Sequence, residues 1–197
     1  MTPAEMHAAI RAELIANSEP WKLPVMQRFF KDPIDAYCTY TVHVRNLAKK
    51  HWREFSSWTH EERMALTDAL WESGKFEEAS VAIQLFALMR RKCERREWKL
   101  FVQWLEKYVR NWANCDALCG DVMGLMLIAH PEWIAELPKW TKAKQLYKRR
   151  AALVAPLKGI RTGLFRTESL ALLEMLADDK ADIIKKARVW MRKELAR

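Results

Sequence analysis

The sequence predicts an all-α chain, an α-solenoid of helical hairpin repeats, and three observations carry that prediction. Apolar residues recur at helical spacing through most of the 197 residues, and no segment shows the period-two alternation of a strand. Glycine is scarce, at 5 residues, and half of the chain is hydrophobic, as expected of a folded, helix-rich protein. Finally, Trp112, Arg150 and Trp190 follow one another at intervals of 38 and 40 positions, about the length of a repeat of the HEAT or armadillo kind. Equivalent positions of successive inner helices in such an array line one concave surface.

The elements follow in order. Thr2-Pro-Ala-Glu5 is a capping box with Pro at the first helical position, and it opens a helix carrying Met6, Ile10 and Leu14 on one face. Asn17 to Pro20 ends it. A second helix covers Leu23 to Lys31 until Asp32-Pro33 breaks the pattern, and Ile34 to Tyr40 reads as a loop. Thr41 caps a third helix with Val42, Leu47 and Trp52 among its apolar positions. Thr59-His-Glu-Glu62 is a second capping box, and its helix stops at Gly74. Phe76 to Cys93 turns Val81, Leu85 and Leu88 inward; Glu97 to Val109 follows with Phe101, Leu105 and Tyr108. A helix from about Ala113 to Ala129 ends at His130-Pro131. After a short stretch to Trp140, a helix runs from Thr141 or Lys142 to Lys158 and ends at Gly159. Thr167 to Ala177 and Lys180 to Arg197 form the last pair. No linker divides the pattern, so residues 1–197 read as one repeat domain.

Charge points to partners. Lys and Arg number 34 against 25 Asp and Glu, giving a formal charge of +9 and a pI near 9.5. Such a balance favours polyanions, nucleic acid before an anionic membrane surface. Nine Lys and Arg between Leu137 and Thr167 meet no acidic residue in sequence. A merely soluble face normally mixes both signs, so this stretch reads as one wall of a phosphate-binding groove. The N-terminus lacks a basic-then-apolar signal pattern, and the longest apolar run, Val122 to Ala129, is too short to span a membrane. Cys38, Cys93, Cys115 and Cys119 are few and irregularly placed, which predicts reduced thiols in a cytoplasmic protein. Cys115 and Cys119 lack companions at metal-ligand spacing, and no phosphate-binding or acyl-enzyme motif occurs. The sequence predicts neither a metal, a cofactor nor a nucleotide.

Trp112 and Asp116 stand four apart, so an indole and a carboxylate share one helix face. If the repeat spacing holds, Trp112, Asp116, Arg150 and Trp190 meet in one groove. The bland alternative makes both indoles core residues and Asp116 a surface residue.

At Asn111-Trp-Ala-Asn-Cys-Asp116, Gly120-Asp121, His130-Pro-Glu132, Pro138-Lys-Trp140, Arg150-Ala-Ala152 and Lys186-Ala-Arg-Val-Trp190-Met-Arg192, the chain resembles the DNA alkylation repair proteins. These are the AlkD-like DNA glycosylases built from HEAT-like repeats. The resemblance is clearest from Val109 onward and weaker at Leu70-Trp71 and from Met26 to Arg28. It implies excision of cationic alkylated purines, of the 3-methyladenine and 7-methylguanine type, from double-stranded DNA, by a monomer that works without a base-flipping pocket. It also implies that Asp116 is the catalytic carboxylate, that Trp112 and Trp190 embrace the lesion's sugar-phosphate, and that Arg150 contacts DNA. Arg149, Lys148 and Tyr147 beside it, and Lys185 and Lys186 on the last helix, are the further expected DNA contacts. Phe29, a further expected DNA contact, stands where the family has a tyrosine and so lacks its hydroxyl, and Tyr147 departs mildly from the family's usual aromatic. The chain runs only seven residues past Trp190, where relatives commonly continue, so it reads either as a short member or as a truncated one. A scaffold that keeps the repeat shape without the activity is the rival reading.

Overall fold

A computed structural model describes residues 1–197. The chain is all-α and forms two compact units, Met1–Arg91 and Lys92–Arg197.

In the first unit α1 spans Pro3–Ala16, and its capping box is formed: Thr2 Oγ1 accepts from Glu5 N, and the Glu5 carboxylate accepts from Thr2 N. Met6, Ile10 and Leu14 are fully buried, as the spacing predicts. The second helix is shorter than expected. A 3₁₀ turn at Pro20–Lys22 leads into α2, Leu23–Gln27. The reason is the Gln27 side chain, whose amide nitrogen donates to Phe30 O and Asp32 O while its oxygen accepts from Ile34 N. Those bonds favour a turn over another helical one.

The third helix, α3, spans Thr41–Ser57 with Tyr40 at its N-cap, so Thr41 is the first helical residue and not the cap. Its inner face is Val44, Leu47, Ala48, His51 and Phe55, while Val42, another of its apolar positions, is exposed. Helix α4, His60–Glu72, starts at the predicted capping box and is followed by Gly74 in the left-handed region at φ 73°. Helix α5, Phe76–Met89, packs against α3 and α4 and gives way to a 3₁₀ turn before Cys93. Two buried carboxylates on α5 organise the loop between Ile34 and Tyr40. Glu77 accepts from the backbone N–H of Tyr37 and Thr39, and Glu78 takes His7, Arg11 and the Tyr37 hydroxyl.

The second unit begins with α6, Arg95–Lys107, capped by Glu94. Helix α7, Trp112–Ala117, runs through a π turn at Leu118–Met123 into α8, Gly124–Ala129. This continuous run of 18 residues has the length and mean hydropathy of a membrane span, and half of it is buried within the chain. Pro131–Glu136 is a 3₁₀ segment and α9 covers Leu137–Trp140. The expected long helix from Thr141 to Lys158 divides into α10, Leu146–Val154, and α11, Leu157–Arg161. Pro156 sits at the break, since it has no N–H to continue the ladder. Gly159 therefore ends nothing. It lies inside α11, where a Cβ would come within 2.3 Å of the Phe165 ring, so only glycine admits that contact. Helix α12, Arg166–Met175, and α13, Asp182–Leu195, close the chain. Four of the ten tryptophans, Trp71, Trp98, Trp104 and Trp140, lie in the core, with Trp98 fully buried and stacked on Trp140 at 5.7 Å.

Candidate functional site

The site is built on α7, α10 and α13, which pack together in the second unit. Two amide side chains set the first two helices. Asn111 caps α7 by accepting from Asn114 N at 2.8 Å, placing Trp112 in the first turn. Gln145 accepts from Lys148 N at the start of α10 and donates to Val109 O at 2.7 Å, so one amide caps α10 and ties it to the turn before α7. Cys115 adds a third tie, donating its thiol to Tyr147 O at 3.4 Å, and Cys119 lies buried one turn on. The hydrogen bond that the Cys119 thiol makes to Cys115, with burial, holds Cys119 well above its ordinary range. These cysteines pack the helices behind the site. The π turn begins two residues after Asp116, a wide turn of a kind often found at functional positions.

Asp116 and Arg150 meet in a bidentate fork. Arg150 Nε donates to Asp116 Oδ1 and Nη2 to Oδ2, both at 2.7 Å. The third nitrogen, Nη1, donates to Ile183 O in the first turn of α13 at 2.6 Å. Burial opposes the charge on Arg150, but the Asp116 carboxylate outweighs it and raises the guanidinium above its usual value. The repeat spacing thus does bring Asp116 and Arg150 to one point. Arg150 itself is largely enclosed there. Its side chain is 7% exposed and all three nitrogens are committed, so Arg150 positions Asp116 and anchors α13. Asp116 keeps a 17% exposed side chain. Trp112, one turn earlier on α7, is 38% exposed, which excludes it from the core.

Trp190 is half-buried on α13, on the stripe Ile183, Ala187, Trp190, Glu194. It stands two helical turns beyond the carbonyl that Arg150 holds. Its indole N–H donates to Glu194 Oε1 at 3.0 Å. Glu194 was not singled out by the sequence, because an acid in the last turn of a basic helix reads as a solvated charge. Burial at 3% side-chain exposure and a second fork, from Arg161, appear only in three dimensions.

The basic stretch is likewise corrected. It is free of acids in sequence but not in space. Lys148 is paired with Glu106 of α6, Arg149 with Asp179 before α13 at 2.8 Å, Arg150 with Asp116 and Arg161 with Glu194. Lys148 is therefore paired from α6 and Arg149 from the turn before α13. Tyr147 is half-buried beside them. Among the cations left exposed outside these pairs are Lys139, Lys142 and Lys144 before α10, Arg166 at the start of α12, and Lys186, Arg192 and Lys193 on α13. Lys186, four before Trp190, and Lys193, three after it, flank the indole on its own helix face. Lys185 is exposed and makes a loose 3.7 Å contact with Asp182. Phe29 lies in the first unit, in the turn after α2, with 69% exposure.

An all-α chain of α-solenoid type, carrying a forked carboxylate beside an exposed indole on a basic surface, is the class that fold and site define. A family model for DNA alkylation repair enzymes matches residues 10–197. The chain belongs to the DNA alkylation repair family. Its fold is that of a solved structure described as a predicted DNA alkylation repair enzyme from Enterococcus faecalis. The two superpose with a TM-score of 0.81 at 17% identity, over 91% of this chain and 84% of the other. No match is found among curated proteins. Membership gives the chain a role in repairing alkylation damage, with DNA as the substrate.

Proposed function

We propose that the chain is a monofunctional alkylpurine DNA glycosylase, acting as a cytoplasmic monomer on double-stranded DNA without a cofactor or a base-flipping pocket. A purine alkylated at N3 or N7 is cationic and already a good leaving group. The C1′–N bond breaks with its electron pair going to the base, which leaves neutral. Water then adds to C1′ of the oxocarbenium-like sugar and gives up a proton, leaving an abasic site. The protein has two tasks: to hold negative charge near the sugar and to orient the water.

The observation that carries this reading is the Asp116–Arg150 fork. Each carboxylate oxygen has two lone-pair directions, and Arg150 takes one on each. The remaining directions are open to a water or to a developing sugar cation. The faces of Trp112 and Trp190 suit that cation by quadrupole attraction.

One observation favours the second reading, a non-catalytic DNA-binding scaffold: both Asp116 oxygens are engaged by Arg150, as in a purely structural ion pair. Single-turnover release of 7-methylguanine from methylated duplex separates the two. The glycosylase reading expects release by the wild type and loss of roughly 10²–10³-fold in Asp116→Asn, compared where both are folded. No release by the wild type, with duplex binding intact, selects the scaffold.

A further inference from the structure

We propose that Glu194 is the positioning residue for Trp190, fixing the plane of its indole for the lesion's sugar. The inference rests on the glycosylase reading and adds a residue to it. Glu194 sits in the last turn of α13, where the helix dipole disfavours an acid, and its side chain is 3% exposed. A carboxylate held against both preferences needs strong partners, and it has four donors. Arg161 of α11 gives Nε to Oε2 at 2.9 Å and Nη2 to Oε1 at 2.7 Å. Arg197 Nη1 donates to Oε2 at 2.9 Å, and Trp190 Nε1 to Oε1 at 3.0 Å. Arg161 above all, assisted by the indole and Arg197, holds the Glu194 carboxyl down to about 2.

The geometry separates two roles within one side chain. The fork from Arg161 ties α11 to α13 and serves stability. The bond from Trp190 sets the indole, whose N–H is the ring's one donor. A half-buried indole held at that atom cannot turn its face without breaking the bond. Arg150 anchors the start of α13 through Ile183 O, and Glu194 anchors the far end, so Trp190 is presented on a helix secured on both sides of it.

Three variants separate positioning from mere support. Glu194→Ala removes the acceptor. R161M/E194M removes both members of the fork together, so that neither is left without its partner should Glu194→Ala fail to fold. Arg161→Met alone keeps Glu194 for the indole. Two readouts are taken below each variant's melting temperature: the Trp190 indole N–H resonance, assigned with Trp190→Phe, and single-turnover release of 7-methylguanine from duplex DNA. Glu194→Ala and R161M/E194M should shift the resonance and slow release by about 10- to 100-fold, the cost of a misplaced contact. Arg161→Met should lower thermal stability yet keep the resonance in place and release within about threefold of wild type, since the positioning bond survives. An unmoved resonance in R161M/E194M overturns the anchoring whatever the activity. A moved resonance with wild-type release overturns its catalytic consequence. A wild type that releases no base overturns the glycosylase reading itself, a result distinguishable from both.

Discussion

Replacing Asp116 with Asn tests the fork, and its consequence differs from that of neutralising an exposed acid. Asn retains one oxygen, which can still accept from Arg150 Nε. Its amide nitrogen then faces Arg150 Nη2 at the 2.7 Å now spanned by a charge-assisted bond, placing donor against donor. Loss of one such bond costs about 1.5–3 kcal/mol. The guanidinium, 7% exposed, is also left without a counter-charge, and breaking a buried pair from one side typically costs about 3–5 kcal/mol in all. For a chain of 197 residues each kcal/mol lowers the melting temperature by roughly 2–4 °C, so Asp116→Asn should melt about 6–20 °C below wild type at pH 7. Adding Arg150→Met removes the stranded charge, so the double variant should lose clearly less than the two single losses combined. Circular-dichroism melts of the four proteins give the coupling directly. A single variant melting within about 2 °C of wild type would refute the fork, because that is less than the effect of 1 kcal/mol. Strict additivity would refute it too.

Duplex affinity should fall steeply with salt, by about 0.9 log units per log unit of salt for each phosphate neutralised. Filter-binding or anisotropy titrations should show K185A/K186A flattening that slope, whereas K148A/R149A leaves it nearly unchanged because those cations already face Glu106 and Asp179; the reverse order would sink the assignment. Stability should also decline in acid. Arg161 holds Glu194 at about 2, and Glu78, whose burial alone would raise it, is brought to about 2 by His7, Arg11 and Tyr37. Both folded-state values lie below the ordinary 4.5, so the stabilisation is complete above pH 4.5 and is lost as pH falls from there toward 2. Urea melts at stepped pH should show this slope in wild type and a shallower one in Glu194→Gln; equal slopes would contradict the ion pair.

Local chemistry was legible in the residue order. Thr2 and Thr59 open their helices because a hydroxyl and a carboxylate three residues apart satisfy each other's backbone donors, which no distant contact is needed to arrange. The all-α class, the burial of Met6, Ile10 and Leu14, and the shared face of Trp112 and Asp116 follow from helical period in the same way. The interval between Trp112 and Arg150 also foretold that α7 and α10 would present their side chains to one point. What the order of residues does not contain is which charge meets which. The acid-free run from Leu137 to Thr167 is a property of the chain. Its neutralisation by Glu106, Asp116, Asp179 and Glu194 is a property of packing, because those acids arrive from 30 or more residues away. The same distance hid Arg150 as a support for Asp116 and Arg161 as the partner of Glu194. Helical period is decided by neighbours three or four residues apart, so sequence alone determines it. An ion pair is decided where helices touch, and there only the tertiary structure decides.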